Sequence, residues 1–142
     1  MAKAFKNWHE IEKYLKTQIN YALDDVADES IKWVQDEIEE SVYSVYDPIR
    51  YERQKYNGGL TDPDNIITDV QDNTLTITSD RKDGDKNVSY TVVSGEGYDY
   101  PVPSHLTDGR PFMDNLKDKM ENDKRHVKTL KKSLKNRGFK VL

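Results

Sequence analysis

Cysteine is absent from this 142-residue chain, which excludes disulfides, thiolate metal sites and cysteine nucleophiles. The absence fits a reducing compartment. Nowhere does an apolar run approach the roughly 18 residues that a membrane span requires. Met1 to Asn20 carries Glu10 and Glu12 among its apolar residues, so no signal peptide is expected and the protein is expected to be cytosolic when made. Apolar residues are scarce overall, 35% against 34% charged. A chain of this length forms one domain, 1–142, and buries roughly two-thirds of its unfolded surface. Its core will be thin, and a partner surface would complete it.

Phosphate-binding loops are missing as well. Gly58-Gly59 and Gly95-Glu96-Gly97 lack the spacing and the Lys-Ser/Thr that cradle a phosphate. They mark places where the backbone needs positive φ or a close approach. Asp80, Asp83, Gly84 and Asp85 resemble a calcium loop only loosely, because the twelfth position is Thr91 where a bidentate Glu is needed; a hairpin turn is the better reading. Of three histidines, His9 and His126 read as surface residues. His105, with Asp99 and Asp108 near it in sequence, has the pairing for acid–base work but no nucleophile signature beside it. No catalytic, cofactor-binding or metal-binding residue is assigned, and the chain is read as a non-enzyme.

Charge is present in abundance and unevenly placed. Met1 to Arg50 holds 11 acidic and 6 basic residues, a net −5; Arg110 to Leu142 holds 4 acidic and 11 basic, a net +7. Opposite signs at the two ends favour head-to-tail contact between copies, although two solvated helix faces account for the same pattern.

The periodicity predicts an α+β fold. Trp8, Ile11, Leu15, Ile19, Ala22 and Val26, then Ile31, Val34, Ile38, Val42 and Val45, step by three or four along a helical arm over 1–47. Either a break near Asp24–Ser30 or one long bent helix fits this stripe, and Pro48 ends it. Residues 48–110 read as a small antiparallel sheet of three to four strands with two long loops. Its strands are expected at Ile66–Val70, at Leu75–Ser79 and across Val88, Tyr90 and Val92, joined by turns at Asp72-Asn73 and Asp83-Gly84. Residues 111–142 form a closing helix from Pro111, with Phe112, Leu116, Met120, Val127, Leu130 and Leu134 inward and lysines near its C-terminus. Gly138 stops it, and Phe139 and Val141 suggest a short edge strand.

Nine tyrosines, several in the two loops, point to recognition surfaces, because tyrosine supplies contact area at low entropic cost. The candidate interaction residues are Tyr51, Arg53, Gly58, Gly59 and Leu60 in the first loop, with Gly95, Gly97, Tyr98, Tyr100, Arg110, Pro111 and Phe112 in and after the second.

Two stretches carry a resemblance to a known family. Tyr46-Asp47-Pro48, Tyr51-Glu52-Arg53, Asn57-Gly58-Gly59-Leu60 and Asp62-Pro63-Asp64-Asn65-Ile66 form the first; Gly95-Glu96-Gly97-Tyr98-Asp99-Tyr100-Pro101 with Gly109-Arg110-Pro111-Phe112-Met113 forms the second. Together they resemble minor virion proteins of long-tailed phages and Gram-positive prophages, the neck or tail-completion (head–tail joining) proteins. The resemblance spans roughly Val42 to Met120. It departs from the family between Arg53 and Gly59, where extra residues intervene.

What the resemblance implies is a long helix on a small antiparallel sheet with a closing helix, and subunits arranged in a template-dependent ring at the head–tail junction. The implied partners are the chain itself and neighbouring neck or tail-tube proteins, with DNA only as passing cargo and no membrane. Localisation would be the host cytoplasm during assembly, then the virion. A net negative subunit suits a channel that must not grip DNA. The rival readings are a nucleic-acid-binding regulator using the Lys-rich last helix, and a small hydrolase around His105.

Overall fold

The computed structural model describes residues 4–44, 55, 57–98, 106 and 108–142. One long helix organises the rest. Helix α1, Trp8–Ile38, begins at Asn7, whose side chain accepts from the Glu10 amide at 3.0 Å, while Glu10 Oε2 accepts from the Lys6 amide. Both contacts satisfy amides that a helix start leaves unpaired. The helix does not break at Asp24–Ser30, so the long-helix alternative holds. Ser30 is fully buried and returns its hydroxyl to the Ala27 carbonyl at 2.7 Å. Beyond Ile38 the chain winds on as a π-helical turn, Glu39–Tyr43, closed by the Ser44 amide on the Glu39 carbonyl. Pro48 lies outside the described residues.

The apolar stripe of α1 is the spine of the core. Val34, Ile38, Val42 and Tyr43 pack with Leu60, Ile66, Val92, Phe112 and Leu116, so the first loop, the first strand and the segments from Val88 and from Phe112 each lend a side chain to one cluster. Nearer the N-terminus the same stripe runs out of cover: Ala22 and Val26 are buried, whereas Leu15 is exposed and Trp8 is 76% exposed.

Strands β1 (Ile66–Gln71) and β2 (Thr74–Ser79) form an antiparallel hairpin, Ile66 opposite Ser79 and Gln71 opposite Thr74. Its tip is Asp72-Asn73, both with positive φ (50° and 61°), as a two-residue hairpin turn requires. The Asn73 amide donates to Asn20 Oδ1 at 3.0 Å, and Asn73 Nδ2 donates to the Lys16 carbonyl at 2.9 Å, pinning the tip to α1. A second, minimal hairpin joins β3 (Lys82–Asp83) to β4 (Lys86–Asn87). The sheet region is thus small and antiparallel, as the periodicity predicts, but its four strands fall into two separate hairpins.

The expected third long strand is a helix instead. Val88–Ser94 forms α2, capped by Asn87, whose side chain accepts from the Tyr90 amide at 3.0 Å, and ended by Gly95 in the left-handed region at φ 78°. Val88 and Val92, two apart in strand phase, are also one helical turn apart, so the alternation fits both periods. The two caps decide the outcome over β propensity. Inside this helix Ser89 is buried, bonding Ser79 Oγ at 2.8 Å and accepting from the Arg81 amide.

The closing helix starts where the sequence places it but is divided. Helix α3, Phe112–Asp123, ends at Lys124, a lysine held at φ 56°; helix α4, Arg125–Asn136, follows at once. Asp123 serves the second start by accepting from the Arg125 amide at 3.0 Å. Gly138, at φ 92°, stops α4, and the Phe139 amide returns to the Leu134 carbonyl. Phe139 forms no edge strand; its ring lies 6.3 Å from that of Tyr14 on α1.

Asn87→Ala should cost about 1 kcal/mol through loss of the cap. Urea unfolding measures this, and an unchanged midpoint would argue that residues 88–94 are not held as a helix.

Candidate assembly surface

The two glycine-bearing loops of the sequence meet at one place, the π-helical end of α1. In the first, Asp62 gathers the turn: its carboxylate accepts from the Gly58 amide at 2.6 Å and the Asp64 amide at 2.9 Å. Asn65 Nδ2 donates to the Gly58 and Gly59 carbonyls. Gly59 is obligatory, because a Cβ there would lie 2.3 Å from the Lys55 nitrogen. Leu60 and Thr61 turn into the core, and Gln35 of α1 donates to the Thr61 carbonyl at 2.8 Å.

In the second, Arg110 is 8% exposed. Its backbone amide donates to the Val92 carbonyl, one guanidinium nitrogen to the Tyr98 hydroxyl at 2.7 Å, and another to the Val42 carbonyl of the π turn at 3.4 Å. Gly109, at φ 82°, lets the chain pass the Val93 carbonyl, which a Cβ would meet at 2.4 Å. Phe112, wholly buried, follows.

Leu60, Arg110 and Phe112 therefore anchor the loops, and Gly95 is buried as the cap of α2. Gly58, Gly97 and Pro111 are exposed, Tyr98 half-buried. Tyr51, Arg53 and Tyr100 lie outside the described residues, as does His105.

Sequence reasoning missed a second feature, the polar bridge between α1 and α3. Glu37 is only 3% exposed. The Lys119 ammonium sits 2.9 Å from its Oε1 and 3.1 Å from its Oε2. Only Oε2 has hydrogen-bond geometry, shared with the Ser41 hydroxyl at 2.8 Å, so Oε1 is held by charge alone. Asn115 Nδ2 donates to Ser41 at 3.1 Å, and Lys119 reaches Glu40 at 2.6 Å. Glu40 and then Glu37 raise the Lys119 pKa above its ordinary value. A Glu at helical spacing amid valines and isoleucines was the available signal: Glu37 and Ser41 are one turn apart beside Ile38 and Val42.

The opposed charges of the two chain ends are partly spent within the subunit. Asp25 of α1 accepts from Ser133 and from Arg137 at 3.2 Å, and these hydrogen bonds, Ser133 first, hold its carboxyl below the ordinary range. Arg137 also lies over the Tyr21 ring. Arg125 grips Asp123 and pulls that carboxyl down to about 2. What stays exposed is still polarised. Asp24, Asp28, Glu29 and Asp36 face solvent along α1, and Lys128, Lys131, Lys132 and Lys135 form one face of α4.

No group of three or more His, Asp or Glu side chains is placed to hold a metal ion among the described residues. No helix among them is long and apolar enough to cross a membrane.

These features define a small α+β protein, the described parts of its loops anchored on one long helix, with an acid-rich exposed side on α1 and a lysine face on α4. The chain belongs to the YomN family, which it matches over residues 7–136. A Bacillus subtilis (strain 168) relative, the "SPbeta prophage-derived uncharacterized protein YomN", is 33% identical over 144 residues, covering 99% of each chain. No solved structure matches the chain.

Lys119→Met should destabilise the fold by about 3 kcal/mol, because it strands the buried Glu37 carboxylate. Adding Glu37→Gln should recover most of that in a double-mutant cycle. A raised lysine pKa stabilises below its unfolded value and ceases to as pH climbs through the folded one. The gap between wild type and Lys119→Met should thus be full at neutral pH and narrow in strong base. Denaturation at stepped pH measures both effects.

Proposed function

We propose that this chain is a structural subunit of a prophage virion, a neck or tail-completion protein that joins head to tail through a homo-oligomeric ring around the DNA channel. The observation carrying this reading is the polarised surface: an exposed row on α1 in which Asp24, Asp28, Glu29 and Asp36 outnumber the single Lys32, and an exposed lysine face on α4 of the same chain. Faces of opposite sign on one molecule suit a heterologous contact, the kind that repeats around a ring. The prophage origin of the Bacillus subtilis relative supports it, as do the Tyr/Gly and Gly-Arg-Pro-Phe segments, which resemble those of neck proteins. Among the described residues of those segments, exposed Gly58, Gly97 and Pro111 are available to neighbouring neck or tail-tube proteins.

Induction of a prophage lacking this chain should yield filled heads and complete tails that do not join. The wild-type chain should in turn be detected by mass spectrometry in purified particles. Normal infectious particles without it would overturn the proposal.

A second reading draws on one observation: α4 contains lysines and an arginine but no acidic residue. On that reading α4 binds nucleic acid directly, and a gel shift at low salt should show affinity falling steeply as salt rises. No shift at low salt leaves the neck reading alone in place.

A further inference from the structure

The hairpin of β1 and β2 is a two-stranded sheet with two open sides. Its hydrogen bonding can be read from its turn. A two-residue turn is flanked by a bonded pair, here Gln71 and Thr74, and bonded pairs then alternate: Asp69 with Thr76, Ile67 with Thr78. The Asp80 amide on the Asn65 carbonyl at 2.8 Å is the next pair in that series.

The backbone groups between them face outward. Ile66, Thr68 and Val70 direct their N–H and C=O groups away from β2, and Leu75, Ile77 and Ser79 direct theirs away from β1. Of these six, the Ile66 amide is taken by the Pro63 carbonyl, while Thr68, Val70, Leu75, Ile77 and Ser79 show no further backbone bond among the described residues. Natural sheets blunt such edges with lysine, proline, bulges or very short strands. This hairpin uses none of those: both strands run six residues, neither holds Lys, Arg, Pro or Gly, and Asp69 is their only charge.

Resting on the assembly reading above, we propose that these edges are the seam between copies. The β1 edge of one subunit pairs with the β2 edge of the next and continues one antiparallel sheet from copy to copy. The two edges suit each other. The β2 edge offers Leu75, Ile77 and Ser79, the β1 edge offers Thr68, Val70 and the Ile66 carbonyl, and subunits in the same orientation bring β2 of one antiparallel to β1 of its neighbour. Because the edges lie on opposite sides of one hairpin, each copy gains two neighbours, which makes the contact heterologous and repeating. The pairing also completes burial. Val70, Leu75 and Ile77 point toward α1 yet are only half-buried, and a neighbouring strand would cover their open flanks. A second copy fits better than a foreign strand because both halves of the joint are present in each chain and match in length.

Hydrogen exchange on the full chain, read residue by residue as concentration is raised, tests this against oligomeric size from light scattering. In the free subunit the amides of Thr68, Val70, Leu75 and Ile77 should exchange freely while those of Ile67 and Asp69 are protected. On assembly the first four should slow on the order of 100-fold. Thr68→Pro removes an outward N–H without removing a bond inside the hairpin, and should abolish assembly with circular dichroism unchanged. If Thr68→Pro unfolds, the wild-type exchange pattern decides. Assembly with those four amides still exchanging freely overturns the seam and leaves the ring reading standing. A chain that stays monomeric at every concentration overturns the seam as a contact that copies make unaided, and the template-dependent ring then stands or falls on the particles assembled without this chain.

Discussion

The constraint on which this protein depends is the unbroken apolar stripe of α1, from Ala22 through Ile38 into the π turn at Val42 and Tyr43. Some 31 residues of helix span about 46 Å, more than any other element can cover alone. The hairpin, α3 and α4 each cover a length of it. With apolar residues at 35% of the chain, the described residues form one buried apolar cluster, and it is built on this stripe. Removing cover from one length of α1 exposes a stripe that nothing else in the subunit buries.

Polar contacts then determine how each element sits on that stripe. Asn73 pins the hairpin tip near Asn20, Gln35 holds the first loop, Lys119 meets Glu37, and Ser133 with Arg137 meets Asp25. Each is worth little alone where water reaches it. Their value lies in position, since each occurs at a different height of α1 and joins a different element to it. Glu37 is the exception in energy as well, because a carboxylate so deeply buried requires its lysine.

Much of this was legible in the residues. Helical spacing located α1 and the closing helices, and Asp72-Asn73 located the hairpin, because both signals are local and have one period. The segment Val88–Val92 misled because Val88 and Val92 satisfy strand and helix phases alike, and only the caps at Asn87 and Gly95 separate them. The division at Lys124 has no glycine or proline to announce it; its local signal is Asn122-Asp123, with Asp123 capping α4, and α3 and α4 pack on α1 on either side of the break. Among the candidate interaction residues, sequence could flag glycines and aromatics but not their depth. Leu60 and Phe112 proved to be core, while Gly58 and Gly97 stayed at the surface. The Glu37–Lys119 bridge joins residues 82 apart, a distance no local pattern spans.

Lys124 also bears on mechanics. A side chain in the left-handed region costs what glycine would not, so the joint between α3 and α4 is held by the packing of both helices on α1 and not by any preference of Lys124 itself. Its two arms differ in sign, with all four acids of the closing segment at or before Asp123 and only basic charges after it. A joint so held points the positive arm along one direction relative to the long helix. On the assembly reading proposed above, every copy would therefore present its positive arm to a neighbour in the same sense.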